Sequence, residues 1–149
     1  MPDVKISELT AAAAVTPDDL FVIVDDPSGS PVTKKVSASI LRNPHVAALP
    51  YAATLNTDAS AGDIFDVTLT GNATLANPTN PVDGKTLRWR IRQDATGSRT
   101  VTLGNKFVIP SSATSPLPFS TAANKMDVLA ATYHAGRDKW DIVAFVMGY

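Results

Sequence analysis

Residues 87–103, LRWRIRQDATGSRTVTL, contain the pattern that decides the fold class. Apolar and basic side chains alternate in its first half, with Leu87, Trp89 and Ile91 at odd positions and Arg88, Arg90 and Arg92 at even positions. Because successive side chains of a strand point to opposite faces, we expect the apolar set to face a core and the arginines to face outward. The stretch predicts a half-buried strand, then the DATGS turn and a partner strand that begins at Arg99.

Short strands separated by turns continue this texture from residue 51 onward. They are expected near 51–55, 63–70, 73–76, 85–93, 99–103, 106–109, 126–134 and 139–147. The intervening turns contain pairs such as Gly71-Asn72 and Asp83-Gly84, which are typical of hairpins. This series predicts a mainly β chain, with an antiparallel β-sandwich or jelly-roll-like domain over residues 51–149.

Residues 1–42 are interpreted as a separate N-terminal arm. The runs DDLFVIVDD (18–26) and VTKKVS (32–37), joined by PSGSP (27–31), predict a hairpin. SASILRN (37–43) ends before Pro44 and predicts at most a short helix. Because so small an arm buries too little apolar surface to fold alone, we expect it to rest on another surface. NPHVAALP (43–50), with a proline near each end, is expected to be a linker.

The bulk composition argues against several classes of function. The net charge of −1 gives no global attraction to nucleic acid, and the lack of cysteine excludes a disulfide framework and a thiolate zinc site. No apolar run approaches the roughly 20 residues of a membrane span. We therefore expect a soluble protein, made in the cytoplasm, with no cofactor and no nucleic-acid or membrane partner.

The arginine row is the one local feature that suggests nucleic-acid binding. A nucleic-acid site would add exposed aromatic side chains for stacking, or glycine-rich loops that admit a backbone. The nearest aromatic residue, Trp89, is expected in the core. A row of arginines that faces solvent or a neighbouring subunit is the preferred interpretation.

Candidate catalytic and metal-binding residues are few. His45 and His134 each lack a second histidine or a carboxylate at the spacing of metal ligands. His134, Asp138 and Asp141 form a conceivable acid/base group, but no nucleophile in a defined turn accompanies them. We predict no catalytic, cofactor-binding or metal site and a protein that is not an enzyme.

The last two expected strands, MDVLAATYH (126–134) and KWDIVAFVM (139–147), are apolar on both faces. A two-layer sandwich covers only one face of each sheet, so the second face needs another cover. Either the N-terminal arm or a second copy of the chain supplies it, and we expect a homo-oligomer. The expected interface residues are Leu129, Ala131, Tyr133, Val143, Phe145 and Met147.

Two longer stretches resemble a known group of proteins. KISELTAAAAVTPDDLFVIVDD, followed by VTKKVSASIL, resembles the opening segment of bacteriophage tail fibre and related virion proteins. QDATGSRTVTL and TAANKMDVLAATYHAGRDKWDIVAF resemble a β-domain of phage fibres and virion appendages. Together the resemblances cover residues 4–42 and about 53–147.

The resemblance implies a homotrimer whose N-terminal segment attaches to the virion. Under it, the virion-anchoring residues are Lys5, Ile6, Leu9, Leu20, Val22, Val24, Lys34 and Lys35. The C-terminal sandwich would then form the body of the trimer.

The chain nevertheless departs from a full fibre, because the sequence contains no repetitive shaft, coiled coil or separate tip domain. We therefore expect a capsid decoration, or cement, protein in the virion that contacts the major capsid protein or another virion protein. The alternative is a short tail fibre or baseplate appendage that binds a host receptor. A third possibility, a carbohydrate-binding module, needs exposed aromatic residues, whereas Trp89 and Trp140 are both expected to face inward.

Overall fold

A computed structural model describes residues 20–25, 29, 32–37 and 43–149. The chain divides into two compact units, Met1–Asn43 and Pro44–Tyr149. The described residues are mainly β, as the sequence predicts. None of their helices is long and apolar enough to cross a membrane.

In the N-terminal unit, the expected hairpin is present. Strands β1 (Leu20–Asp25) and β2 (Val32–Ser37) pair antiparallel, with Leu20 opposite Ser37 and Asp25 opposite Val32. The predicted short helix lies mostly in residues 38–42, outside the described residues.

The C-terminal unit contains nine of the described strands. They are β3 (Val46–Ala48), β4 (Thr54–Leu55), β5 (Ile64–Leu69), β6 (Ala73–Leu75), β7 (Thr86–Gln93), β8 (Val101–Leu103), β9 (Phe107–Val108), β10 (Met126–His134) and β11 (Lys139–Val146). Strand β3 lies inside the segment 43–50 that the sequence indicated as a linker. Its three residues pair with β5 at the edge of a sheet, which is a position where flanking prolines are tolerated.

From β3 to β8, successive strands alternate between two sheets. The six-stranded sheet has the order β3-β5-β7-β10-β11-β9, and the three-stranded sheet has the order β4-β6-β8. Strands β3, β5 and β7 run parallel to one another, and so do β4, β6 and β8. The chain therefore winds from one sheet to the other in successive turns, as in a short two-sided β-solenoid. We call this winding the coil.

The prediction of an antiparallel domain is thus wrong for most strand pairs. In the C-terminal unit the antiparallel pairs of the described strands are β7 with β10 and β10 with β11. The stretch 99–103 was expected to pair with the strand before it, but β8 pairs with β6. The reason is that the 94–99 turn leads the chain to the other sheet. The side chain of buried Gln93 holds this turn: it accepts a hydrogen bond from the N–H of Arg99 and donates to the carbonyl oxygens of Arg99 and Ser120.

Equivalent residues stack on successive turns of the coil. Leu55, Leu75 and Leu103 are aligned on the inner side, with Leu55 and Leu75 fully buried. On the outer side, the hydroxyls of Thr74 and Thr102 are 2.8 Å apart. Asn77 follows β6, and Asn105 follows β8 at the equivalent position. Asn77 Nδ2 donates to Asn105 Oδ1 at 2.9 Å, and Asn77 Oδ1 accepts from the N–H of Lys106. These rows fix the parallel register.

Aromatic side chains fill the core that the two sheets share. Trp89 and Trp140 are both fully buried, and Phe107 lies edge-on to Trp89 with ring centroids 5.6 Å apart. Tyr133 packs against Trp140 at 5.2 Å. Both tryptophans therefore face inward, as expected from the sequence.

The closing hairpin, β10 with β11, contains a bulge. Ala130 is opposite Ala144, but Ala131 is opposite Ile142, so Val143 is the extra residue of β11. Before the bulge, Trp140 and Ile142 point into the core; after it, Phe145 returns to the core side and contacts Phe119. The bulge places Val143 and Ala144 together on the outside.

Candidate functional site

The outer face of the six-stranded sheet carries the predicted arginine row. In β7, Leu87, Trp89 and Ile91 are buried, while the alternate positions are exposed or half-buried. The inward and outward orientations predicted from the sequence are confirmed. The row consists of Arg88, Arg90 and Arg92.

Neighbouring strands extend this row into three lines of outward side chains. In the first, Ile64, Arg88 and Ala130 are adjacent; in the second, Asp66, Arg90 and Val128; in the third, Thr68, Arg92 and Met126. Adjacent strands are about 4.8 Å apart, and Arg88 and Arg92 are separated along the strand by about 13 Å. The face thus places basic, acidic, hydroxyl and apolar groups within reach of one another.

The three arginines differ in their partners. Arg90 forms a two-pronged ion pair with Asp66, in which Nη2 is 2.6 Å from Oδ2 and Nε bonds Oδ1. Arg92 donates to the thioether sulfur of Met126 at 3.7 Å, a weak acceptor. Among the residues that the structure describes, no carboxylate pairs with Arg88 or Arg92. Arg88 and Arg92 therefore differ from Arg90 in having no acidic partner in the described part of the chain.

A polar groove of about 300 Å³ lies on this face. Its lining residues are Asp66, Val67, Thr68, Arg90, Arg92 and Met126. Sequence reasoning found the arginines but missed the groove, because Asp66 and Thr68 come from a strand whose pairing with β7 has no local signal.

Beside the arginine row, the outer side of β10 and β11 is apolar. Val128 is half-buried and lies opposite Val146, which is 45% exposed. Val143 is 60% exposed at the bulge, and Met147, just past β11, is 48% exposed. We call Val143, Val146 and Met147 the apolar strip.

Half of the expected interface residues lie elsewhere. Leu129, Ala131 and Tyr133 are buried in the core of their own chain, so they do not face a second subunit. Phe145 is half-buried against Phe119, with ring centroids 4.8 Å apart. Because both faces of β10 are apolar in sequence, the pattern could not decide which one faces the core.

A second groove, of about 500 Å³, runs along β8, the outer strand of the three-stranded sheet. Its lining includes Val101, Leu103, Phe107, Leu117 and Phe119. Alternate residues of a strand present their backbone N–H and C=O groups to opposite sides. The backbone groups of Thr102 point towards β6, so those of Val101 and Leu103 point away from β6, towards this groove. The proline-rich stretch SATSPLPF (112–119) is the sequence signal for its irregular wall.

The residues considered as an acid/base group take part in structural contacts. Asp138 accepts a hydrogen bond from Tyr133 Oη at 2.9 Å and lies 2.6 Å from Lys106 Nζ. Lys106, followed by the Tyr133 hydroxyl, lowers the pKa of Asp138, and the same carboxylate raises the pKa of Tyr133. Asp141 is ion-paired with Arg137. The group therefore fixes the turn between β10 and β11.

The two histidines are exposed and are not brought together with carboxylates as ligands. The backbone N–H of His45 donates to Asp63 Oδ2 at 2.8 Å, and this bond is the main reason that the pKa of Asp63 is lowered. His134 lies at the end of β10. In the described part of the chain, no group of three or more histidine, aspartate or glutamate side chains is arranged to hold a metal ion.

The expected anchoring residues fall in the N-terminal unit. Lys5, Ile6 and Leu9 lie outside the described residues, and Leu20 and Val24 belong to β1. Val22 is 76% exposed and pairs across the hairpin with Lys35, which is also exposed, as is Lys34.

More than half of the chain matches a known protein family. Residues 50–138 match a family model described as "Putative phage tail fibre C-terminal domain". No curated protein matches the chain. The expectation of a capsid decoration protein is not supported by this match, which favours the alternative, a tail fibre.

Proposed function

Because the chain belongs to the family of phage tail fibre C-terminal domains, we propose that it is a short tail fibre or baseplate appendage that binds a receptor on the host cell. It is a phage virion structural protein of the tail-fibre type. The family membership is the observation that carries the proposal. The arginine row and both grooves support it, because they lie in the unit that contains the matched residues.

The functional oligomeric state of the protein is a homotrimer. The apolar strip supports association, since Val143, Val146 and Met147 are 60%, 45% and 48% exposed, and exposed apolar side chains favour burial against a partner. Closed rotational symmetry satisfies such a surface on every copy. The resemblance of the sequence to trimeric phage fibres supports three copies.

The arginine row lies at the rim of this contact. It is two strands away from β11, or about 10 Å. Burying a guanidinium without a partner carries a large desolvation penalty, which disfavours a contact centred on Arg88 and Arg92. The row therefore stays accessible in the trimer.

The protein acts by binding rather than by catalysis. Tyr133, Asp138 and Asp141 are held in ion pairs and hydrogen bonds, which supports a structural role for them. The N-terminal unit attaches the C-terminal unit to the virion. The exposed Val22, Lys34 and Lys35 of its hairpin contact the virion protein to which it attaches.

Adsorption to cells tests the receptor-binding role. The full chain, fluorescently labelled, is mixed with bacterial strains that the phage infects and with resistant mutants selected for failure to adsorb phage. Saturable binding to the infected strains, its absence from the resistant mutants, and competition with phage adsorption are the expected results. Equal binding to both kinds of cell, or to none, would overturn the proposal.

A further inference from the structure

The groove beside the arginine row has the composition of a site for an acidic sugar chain. Arg92 lines the groove and has no carboxylate partner among the described residues. Arg90 lines it as well, with its guanidinium held in place by Asp66. A guanidinium has five N–H donors in a fixed plane, which suits the two oxygens of a carboxylate. Arg92 is therefore a ready anion contact.

The remaining lining selects among anionic partners. Thr68 offers a hydroxyl that donates and accepts, and Asp66 offers carboxylate oxygens that accept from sugar hydroxyls. A densely phosphorylated strand would meet positive charge of this row only at Arg88 and Arg92, because Arg90 is neutralised by Asp66. It would also find no aromatic ring for base stacking, since none lines the groove.

Spacing and accessibility favour a chain over a single small ion. Arg88 lies about 13 Å along β7 from Arg92, and no carboxylate among the described residues pairs with it. The two unpaired charges are separated by the Arg90–Asp66 pair, so the face presents spaced positive charges with neutral and hydroxyl surface between them. A polymer with one carboxylate on some of its sugar units complements this arrangement.

We propose that the outer face of β5 and β7, centred on Arg92 and extending to Arg88, binds the carboxylate groups of an acidic polysaccharide on the host cell surface. This inference rests on the proposed receptor-binding function and names the chemistry of the receptor. Arg92 and Arg88 contact the carboxylates, Arg90 lines the groove while paired to Asp66, and Thr68 bonds a sugar hydroxyl.

The test uses polysaccharide extracted from a strain to which the full chain adsorbs, and the same material after its carboxyl groups have been converted to amides. The wild-type chain is expected to bind the acidic form and not the amidated form. Binding should weaken as salt is added, because the charges are exposed. Arg92→Gln should weaken binding by about 10- to 100-fold, the range for loss of a charged hydrogen-bonding group.

Arg137→Gln is the matched control. It removes the same charge from an exposed side chain in the turn after β10, away from the groove, and is expected to bind like the wild type. Thermal unfolding of Arg92→Gln should match the wild type, because the side chain is exposed.

Three results would overturn the inference: unchanged binding by Arg92→Gln, unchanged binding to the amidated polysaccharide, or equal binding to a single-stranded DNA oligonucleotide. Each of these leaves the wild-type chain adsorbing to cells, so the receptor-binding function would stand while this site fails. A wild-type chain that adsorbs to no strain the phage infects would instead remove both.

Discussion

The indole Nε1 of Trp89 donates a hydrogen bond to Oγ1 of Thr57, 3.0 Å away, in the closed interior of the C-terminal unit. Trp89 belongs to β7 of the six-stranded sheet, and Thr57 follows β4 of the three-stranded sheet by two residues. Trp89 is fully buried and Thr57 is 1% exposed. The bond therefore ties the two sides of the coil together and satisfies a polar group that water cannot reach.

Replacing Thr57 with valine should destabilise the fold by about 1–3 kcal/mol, because it leaves the buried Trp89 N–H without an acceptor. Urea unfolding followed by tryptophan fluorescence measures the change. Thr54→Val, on the outer side of β4, is the control and should stay within about 0.5 kcal/mol of the wild type. Equal stability of the two variants would mean that the bond contributes nothing.

Gly104→Ala should also destabilise the protein. A Cβ at residue 104 would lie 2.9 Å from the backbone nitrogen of Asn77 and 2.4 Å from its Oδ1, where the stacked asparagines meet. The expected cost is about 1–3 kcal/mol from overpacking. In Gly136→Ala, the nearest atom would be a carbon of His134 at 3.4 Å, so its melting temperature should stay near that of the wild type. A Gly104→Ala protein that melts with the control would contradict the close stacking of coil turns.

Acid should remove the stabilisation that Asp94 supplies. The Arg99 guanidinium, followed by the N–H of Gly97, lowers the pKa of Asp94 below its ordinary value of 3.8. The folded state therefore favours the carboxylate, and this contribution is complete above pH 3.8 and is lost as the pH falls through the lowered folded pKa. Asp94→Asn should be less stable than the wild type at pH 7, and the gap in stability should be smaller at a pH well below 3.8. Denaturant unfolding at both pH values checks this, and a gap that is the same at both would show that Asp94 is not a linked group.

The mass of the native particle tests the role of the apolar strip. The full chain should have about three times its monomer mass of 15.7 kDa by light scattering. Val143→Asp should release monomers, because it places a charge within the contact. Val82→Asp changes a valine of similar exposure, 65%, in the connection before β7 and should remain trimeric. A monomeric wild type, or dissociation by Val82→Asp instead of Val143→Asp, would exclude the strip as the contact.

The sequence predicted where strands form better than it predicted which strands pair. The alternation in 87–93 is a local property, so the buried and exposed faces of β7 could be assigned from it. The turns at Gly71-Asn72, Asp83-Gly84 and 95–98 have hairpin composition, yet each leads the chain from one sheet to the other. Turn composition reports that the chain bends, whereas the partner of the next strand is set by contacts distant in sequence.

The candidate site shows the same limit. The sequence shows the arginine row directly. The Arg90–Asp66 pair, however, joins residues 24 positions apart because β5 and β7 pair in parallel, and no sequence motif predicts that pairing. The bulge at Val143 reverses the orientation of the residues after it, and a strict period-two pattern cannot represent that change. The first feature explains why the groove was missed, and the second explains why Phe145 lies on the core side. Leu129, Ala131 and Tyr133 belong to β10, where both faces are apolar in sequence and alternation alone does not show which one is buried.

The position of the chain on the virion tests the central claim most directly. Gold-labelled antibodies raised against the full chain are applied to purified phage particles and viewed by electron microscopy. A tail fibre or baseplate appendage places the label at the tail, with the capsid free of gold. Label distributed over the capsid surface and missing from the tail would contradict the account.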